Sequence, residues 1–270
     1  MKKILIFLLL MIISLACGAR SNETTPEMAQ SLLKIRGFDF TEDEFFKAIK
    51  QSDAPAVKLF LQSGINANAK NKTGETALTA AAASADVPTV KILIEKANIN
   101  ERDELGNMPM FVALKKEHYE IFNFLLDNNA DVNSSGTAKN TKEQSVLYVA
   151  VLLDKTDLIQ KLLDKGADPG LTDSGGAMPV SEQILSSRPN IEVIKRLLDK
   201  TMDVNKQETS GATLLLYAAK NTRMPPDTQK EIIKLLLDKG ADKKLKDKTG
   251  KTALDWAKER GNVAAVDLLK

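Results

Sequence analysis

One cysteine, Cys17, and one histidine, His118, are all that 270 residues offer to thiol or imidazole chemistry. A lone thiol closes no internal disulfide, so stability must come from packing. A single histidine with no second cysteine excludes multi-histidine and cysteine-rich zinc sites. It also leaves a serine–histidine triad one imidazole only, and no G-x-S-x-G elbow is present to carry the serine. Aromatic residues make up 5% of the chain and tryptophan occurs once, at Trp256, so no aromatic platform for stacked bases is evident. An excess of charge is missing too. The formal +2 comes from Lys2 and Lys3, and the remainder is balanced, which argues against a broad field for nucleic acid or acidic membranes.

Long hydrophobic runs are also missing after residue 16. The one apolar run, ILIFLLLMIISLA at residues 4–16, follows Lys2 and Lys3 and ends in small residues. That order is an export signal. At about 1.5 Å per residue its helix would fall short of the roughly 30 Å hydrocarbon core, so it is not read as a permanent span.

Ser14-Leu15-Ala16-Cys17 resembles the lipobox of bacterial lipoproteins, in which the cysteine is acylated and becomes the new N-terminus. The resemblance implies lipidation at Cys17, and Gly18 in the next place implies the outer membrane. The alternative is an ordinary secretory signal cut after Ala16 or Ala19, giving a soluble periplasmic or secreted protein. The domain reading is therefore a signal peptide at 1–16, a lipidated N-terminus and flexible tether at 17–39, and a repeat domain at 40–270.

The repeat is read from internal similarity. KTGETALTAAAA from Lys72 returns as KTGKTALDWAKE from Lys248, and IIKLLLDKGAD from Ile232 returns as IQKLLDKGAD from Ile159, with weaker copies from Val57, Phe122 and Ile194. Taking the small residue late in each first helix as a marker gives Ala48, Ala81, Ala113, Ala150, Gln183, Ala218 and Ala257, spaced by 33, 32, 37, 33, 35 and 39, with Gln183 breaking the pattern. Each second helix carries apolar residues at i, i+3 and i+4, such as Val57, Phe60 and Leu61 or Ile159, Leu162 and Leu163, a buried helical stripe that fits no strand. Thr76, Thr213 and Thr252 are predicted N-caps, Pro109 and Pro179 first-turn residues, and Gly64, Gly166, Gly240 and Asn129 left-handed helix ends. Met108 and Met178 stand in the threonine position and cannot cap, so Met108→Thr is expected to stabilise. Helix pairs this short must stack to share a core.

These phrases resemble the ankyrin repeat, with its G-x-T-P-L-H-x-A line and its G-A-D-V-N ending. The resemblance implies an all-α solenoid of about seven helix-turn-helix units joined by hairpin loops. It also implies a non-enzymatic module that binds a protein partner through hairpin tips and the exposed side of the first helices. The candidate contact residues so placed are Lys72, Arg102, Asp103, Phe111, Tyr148, Asp173, Glu208, Lys246 and Lys248. The family's histidine position is held by Thr79, Phe111, Tyr148, Ser181, Leu216 and Asp255, which leaves Phe111 and Tyr148 for either packing or contact.

Other residues read as structural. His118 is expected to pack or cap, Trp256 to pack into the last unit, and the recurring LLDK aspartates to form a solvated helix face. No cofactor, small-molecule substrate or nucleic acid is expected. The functional expectation is an exported, membrane-tethered interaction protein of the bacterial envelope, with masking of an envelope protein or toxin as the alternative.

Overall fold

The protein is described by a computed structural model over residues 24–137, 143–200 and 203–270. A helix α1 (Pro26–Ile35) precedes seven helix pairs: α2 (Glu42–Lys50) and α3 (Ala54–Gln62), α4 (Ala77–Ala83) and α5 (Val87–Leu93), α6 (Pro109–Lys115) and α7 (Tyr119–Asp127), α8 (Val146–Leu152) and α9 (Thr156–Asp164), α10 (Pro179–Leu185) and α11 (Ile191–Leu198), α12 (Leu214–Lys220) and α13 (Pro226–Asp238), α14 (Ala253–Glu259) and α15 (Val263–Leu269). The first helices stack in an unbroken row from α2 to α14, and each packs against its own second helix. The fold is an all-α solenoid. No helix among the described residues is long and apolar enough to cross a membrane.

The stripes read from the sequence form the core. Val57 and Phe60, Val90 and Leu93, Phe122 and Leu125, Ile159 and Leu162, Ile194 and Leu197, and Ile233 and Leu236 are all 0% exposed. The alanine markers are equally buried, because a first helix can lie close to its neighbours only where the side chain is small. Thr76, Thr213 and Thr252 cap their helices, the last in a full capping box with Asp255, whereas Met108 and Met178 make no side-chain cap bond. Gly64, Gly166, Gly240 and Asn129 close second helices at positive φ, as predicted.

A second set of left-handed residues was not legible. Ser52, Ala85, Glu117 and Asp154 take φ between 50° and 58° in the turn between first and second helices of units one to four, where unit seven has Gly261. Units five and six have no such residue among those described.

Side-chain amides stitch the units. The last asparagine of each N-x-N or D-V-N phrase accepts a backbone N–H from the next unit: Asn68 from Asn98 at 2.7 Å, Asn100 from Asp131 at 2.8 Å, Asn133 from Asp168 at 2.9 Å and Asn205 from Asp242 at 2.7 Å. Gly170 interrupts this ladder because it has no acceptor. The LLDK aspartate Asp199 is solvated but pairs with Lys239, and Asp127, which stands at the same place in the LLDN phrase of unit three, pairs with Lys161 and Lys165, each lysine coming from the following unit.

One reading is corrected here. The expectation of a tether over 17–39 fails in its later part, which is α1, with Thr25 as N-cap, Pro26 in the first turn, and Ala29 and Leu33 fully buried against α3. Arg36 locks it with a bidentate bond to Asp53 at 2.7 and 2.8 Å. The polar letters before Leu32 hid an amphipathic helix that covers the end of the solenoid. Before α8 the chain forms two antiparallel strands, β1 (Ser135–Thr137) and β2 (Glu143–Ser145), with Ser135 opposite Ser145. Cys17 lies outside the described residues.

Candidate functional site

Seven-residue first helices bury one side against their partners and leave position four after the N-cap, where it is not itself buried as at Ala80 and Val149, and position seven on the open side of the row. From unit two onward the first of these positions holds Ala80, Val112, Val149, Glu182, Tyr217 and Trp256, and the second holds Ala83, Lys115, Leu152, Leu185, Lys220 and Glu259. The middle of the row is therefore apolar. Leu152 is 49% exposed, with Val112 and Leu185 half-buried on either side.

Beside this strip lies an acidic and phenolic group. The Tyr148 hydroxyl donates to Glu182 Oε1 at 2.5 Å, and the Tyr217 hydroxyl donates to Glu208 Oε2 at 2.7 Å. Burial first, and then the bond to Glu182 and the charges of Asp173 and Glu208, pushes the Tyr148 phenol far above its ordinary range. The Tyr217 phenol is pushed up to about 12, again by burial before the carboxylates. Both phenols are therefore neutral donors at neutral pH, holding carboxylates on the surface of units five and six.

The hairpin candidates divide by exposure. Asp103 and Asp173 are buried, and their carboxylates fold their own tips: Asp103 Oδ1 accepts from Asn107 N at 2.7 Å, and Asp173 Oδ1 from Gly175 N at 2.8 Å and Ala177 N at 2.9 Å. An aspartate at the start of a tight turn takes this role because its short side chain reaches the amides that follow. Glu208 replaces aspartate in unit six. Its extra methylene carries the carboxylate back to the Met178 amide at 2.9 Å, so it serves the preceding unit instead of its own turn. Arg102 bridges to Gly106 O and Ser135 Oγ at 2.6 and 2.9 Å, binding the tip of unit three to the strands of unit four. Phe111 and Tyr148 are 0% and 2% exposed, which removes both from direct contact. Lys72, Lys246 and Lys248 remain on the surface, with Lys72 paired to exposed Asp43 at 2.7 Å.

Sequence reasoning missed the value of Gln183. Its amide donates to Val151 O at 3.2 Å and accepts from Asn190 N at 2.9 Å, so the residue that breaks the alanine pattern ties unit five to unit four. His118 sits at the start of α7 without capping it, and its Nδ1 donates across to Ala82 O at 2.8 Å. Trp256 is half-buried against the core, its Nε1 donating to Asp247 Oδ2 at 2.6 Å, with Lys220 above the ring at 3.9 Å.

Stacked helix pairs, hairpin tips closed by an acidic residue, and a ladder of turn asparagines are accompanied by a direct match to the family described as ankyrin repeats (three copies), over residues 45–136, 147–247 and 183–270. The chain belongs to the ankyrin-repeat family. It is similar to notch homolog protein 1 of Danio rerio, 28% identical over 62% of this chain and 7% of that protein. It is also similar to an ankyrin repeat protein of Acanthamoeba polyphaga mimivirus, 30% identical over 48% of this chain and 17% of that one. The chain thus spans a small part of the length of these relatives. Among solved structures, an ankyrin repeat domain from Acinetobacter baumannii AYE is 27% identical with a TM-score of 0.60, covering 71% of this chain and 95% of that one. The ankyrin repeat domain of Bcl-3 shares the fold at 24% identity and a TM-score of 0.64, covering 83% of this chain and 96% of that one.

Within the ankyrin pattern, the residues that replace the usual histidine split by chemistry. Thr79, Ser181 and Asp255 bond to Thr76, Met178 and Thr252 in their own first turns, while Phe111, Tyr148 and Leu216 fill the core. Of these six, Tyr148 also reaches the next unit through Glu182, and further contacts between units pass through Gln183, His118 and the turn asparagines.

Proposed function

We propose that this ankyrin-repeat chain is a non-enzymatic binding module that meets a protein partner on the open side of its first helices. The observation that carries the reading is Leu152, 49% exposed in the middle of that row between half-buried Val112 and Leu185. An aliphatic side chain left open among packed neighbours suits a contact that a partner desolvates. The carboxylates of Glu182 and Glu208 and the exposed lysines at the hairpin tips supply a polar rim. Crosslinking in cells followed by copurification tests this. Leu152→Asp should remove the captured partner while leaving the melting midpoint near wild type; retention of the same partner by that variant would reject the assigned face.

The proposal includes export and attachment through Cys17, supported by the leader at residues 4–16 and by the absence of any other cysteine in the sequence. A lipid there would tether the solenoid to the envelope by its N-terminal end, where α1 begins. Mass spectrometry of the mature N-terminus decides the matter. An acyl mass that disappears in Cys17→Ser is expected, whereas an unmodified cysteine or a terminus at Arg20 would reject the anchor.

A further inference from the structure

The turns between first and second helices are not uniform. From the alanine marker to the first buried stripe residue is the same distance in units one to four and seven, as in Ala48 to Val57 or Ala257 to Val266, but Gln183 to Ile194 is two residues longer and Ala218 to Ile233 six residues longer. These are also the two units whose turns lack a left-handed residue among those described. The extra chain of unit six forms residues 221–225 and the first turns of α13, which is 13 residues long. Both long turns lie on one edge of the solenoid, next to each other in the stack.

Beside the turn of unit six is a cavity of about 280 Å³ lined by Leu185, Lys220, Asn221, Thr222, Arg223 and Arg260. Three cations and no carboxylate line it. None of the three cations makes an ion pair among the described residues. Each is nonetheless positioned: Arg223 Nη2 donates to Leu185 O at 2.8 Å, Lys220 Nζ lies 3.9 Å from the centre of the Trp256 ring, and the Arg260 guanidinium lies 5.6 Å from it. Lys220 and Arg260 sit at helix C-terminal ends, where a cation suits the macrodipole. Arg223 does not. It comes from the inserted turn and keeps most of its guanidinium donors for a ligand. Thr222 also lines an adjoining hollow of about 460 Å³, which holds Met224, Pro226, Val263 and Ala264, with Val263 73% exposed and Asp267 at its margin.

We propose that this edge is a docking pocket for an acidic segment of a protein partner, one carboxylate entering between Lys220, Arg223 and Arg260 while a neighbouring apolar side chain rests on Val263. Charge complementarity selects the carboxylate, since a guanidinium held by one bond binds it with two more. A polyanion fits poorly, because Asp267 lines the adjoining hollow and the chain has no wider basic field. The pocket adjoins the open side of the first helices at Leu185 and Lys220, and Leu152 lies outside it, so a failed peptide test leaves the Leu152 reading of that face untouched.

Fluorescence anisotropy of the purified protein with a labelled peptide of Glu, Leu and Ser, against the same peptide with Gln for Glu, tests the pocket. Binding of the Glu peptide alone is expected, weakened by salt and about tenfold weaker in Lys220→Gln and in Arg223→Gln. Lys58→Gln on α3 should bind as wild type. Lys220→Gln removes no hydrogen bond to the protein, so it keeps the test independent of folding if Arg223→Gln melts early. Equal binding of the two peptides, or wild-type affinity in Lys220→Gln, would overturn the proposal. So would phosphatidylglycerol vesicles bound through the same residues with no affinity for the peptide, which would make the edge a membrane contact.

Discussion

The hydroxyl of Tyr148 lies 2.5 Å from Glu182 Oε1, joining the first helices of units four and five, which Gln183 also ties through Val151 O. The bond needs a protonated phenol. Tyr148, Tyr217 and Tyr119, the chain's three tyrosines, all have raised pKa values, with burial the largest cause in each. A raised folded pKa means that stability from these groups is fully present below the unfolded value of about 10 and is lost as pH rises through the folded one. For Tyr217 that window runs from 10.0 to about 12. Phenolate absorbance should therefore stay low past pH 10 and then rise together with loss of helical circular dichroism; a free titration at pH 10 in the folded state would contradict the buried pair.

Gln183 leads to a second expectation. Gln183→Ala restores the residue type of the other six markers but strips Asn190 N of its partner and breaks the link to Val151 O, which keeps the Asp154 N–H at 3.1 Å. A buried donor or acceptor left unpaired costs about 1–3 kcal/mol. The variant should be less stable by that amount in urea, despite matching the repeat pattern better.

Ala85 should behave in the opposite way. It is exposed at φ 58°, where an L-residue is strained and glycine is not. Ala85→Gly is expected to raise stability by roughly 0.5–1 kcal/mol, the relief exceeding the added chain entropy of the unfolded state. A lower urea midpoint would show that the turn carries no strain.

Met178 and Met108 revise the expectation that a threonine cap would stabilise. Met178 is 0% exposed and part of the core, so Met178→Thr gains a cap but loses a buried thioether, for a net loss of roughly 1–2 kcal/mol. Met108 is 9% exposed, so the two effects nearly balance there and Met108→Thr should shift the thermal midpoint little.

Much of the architecture was legible because it repeats. The stripe of Phe122 and Leu125, the caps at Thr76 and Thr252, and the closing Gly64 and Gly240 each follow from side-chain size, a hydroxyl or a missing Cβ, properties local to a few residues. α1 was not legible. Its burial against α3 depends on a surface that the sequence of residues 26–35 does not contain. The same holds for Asp103 and Asp173, chosen as contact residues for their place at the tips, where their carboxylates turn inward to amides two to four residues ahead.

What the sequence by itself determined is the unit: two short helices with one apolar side each, too small to be stable alone, repeated about seven times and so obliged to stack. What only the tertiary structure decided is what the stack leaves over. Stacking sets Leu152 open beside Glu182, drives Phe111 and Tyr148 inside, and gathers Lys220, Arg223 and Arg260 from two different units into one cavity. These are relations between residues some 30 to 40 positions apart, and the packing of neighbouring units, not any local propensity, sets the distances between them.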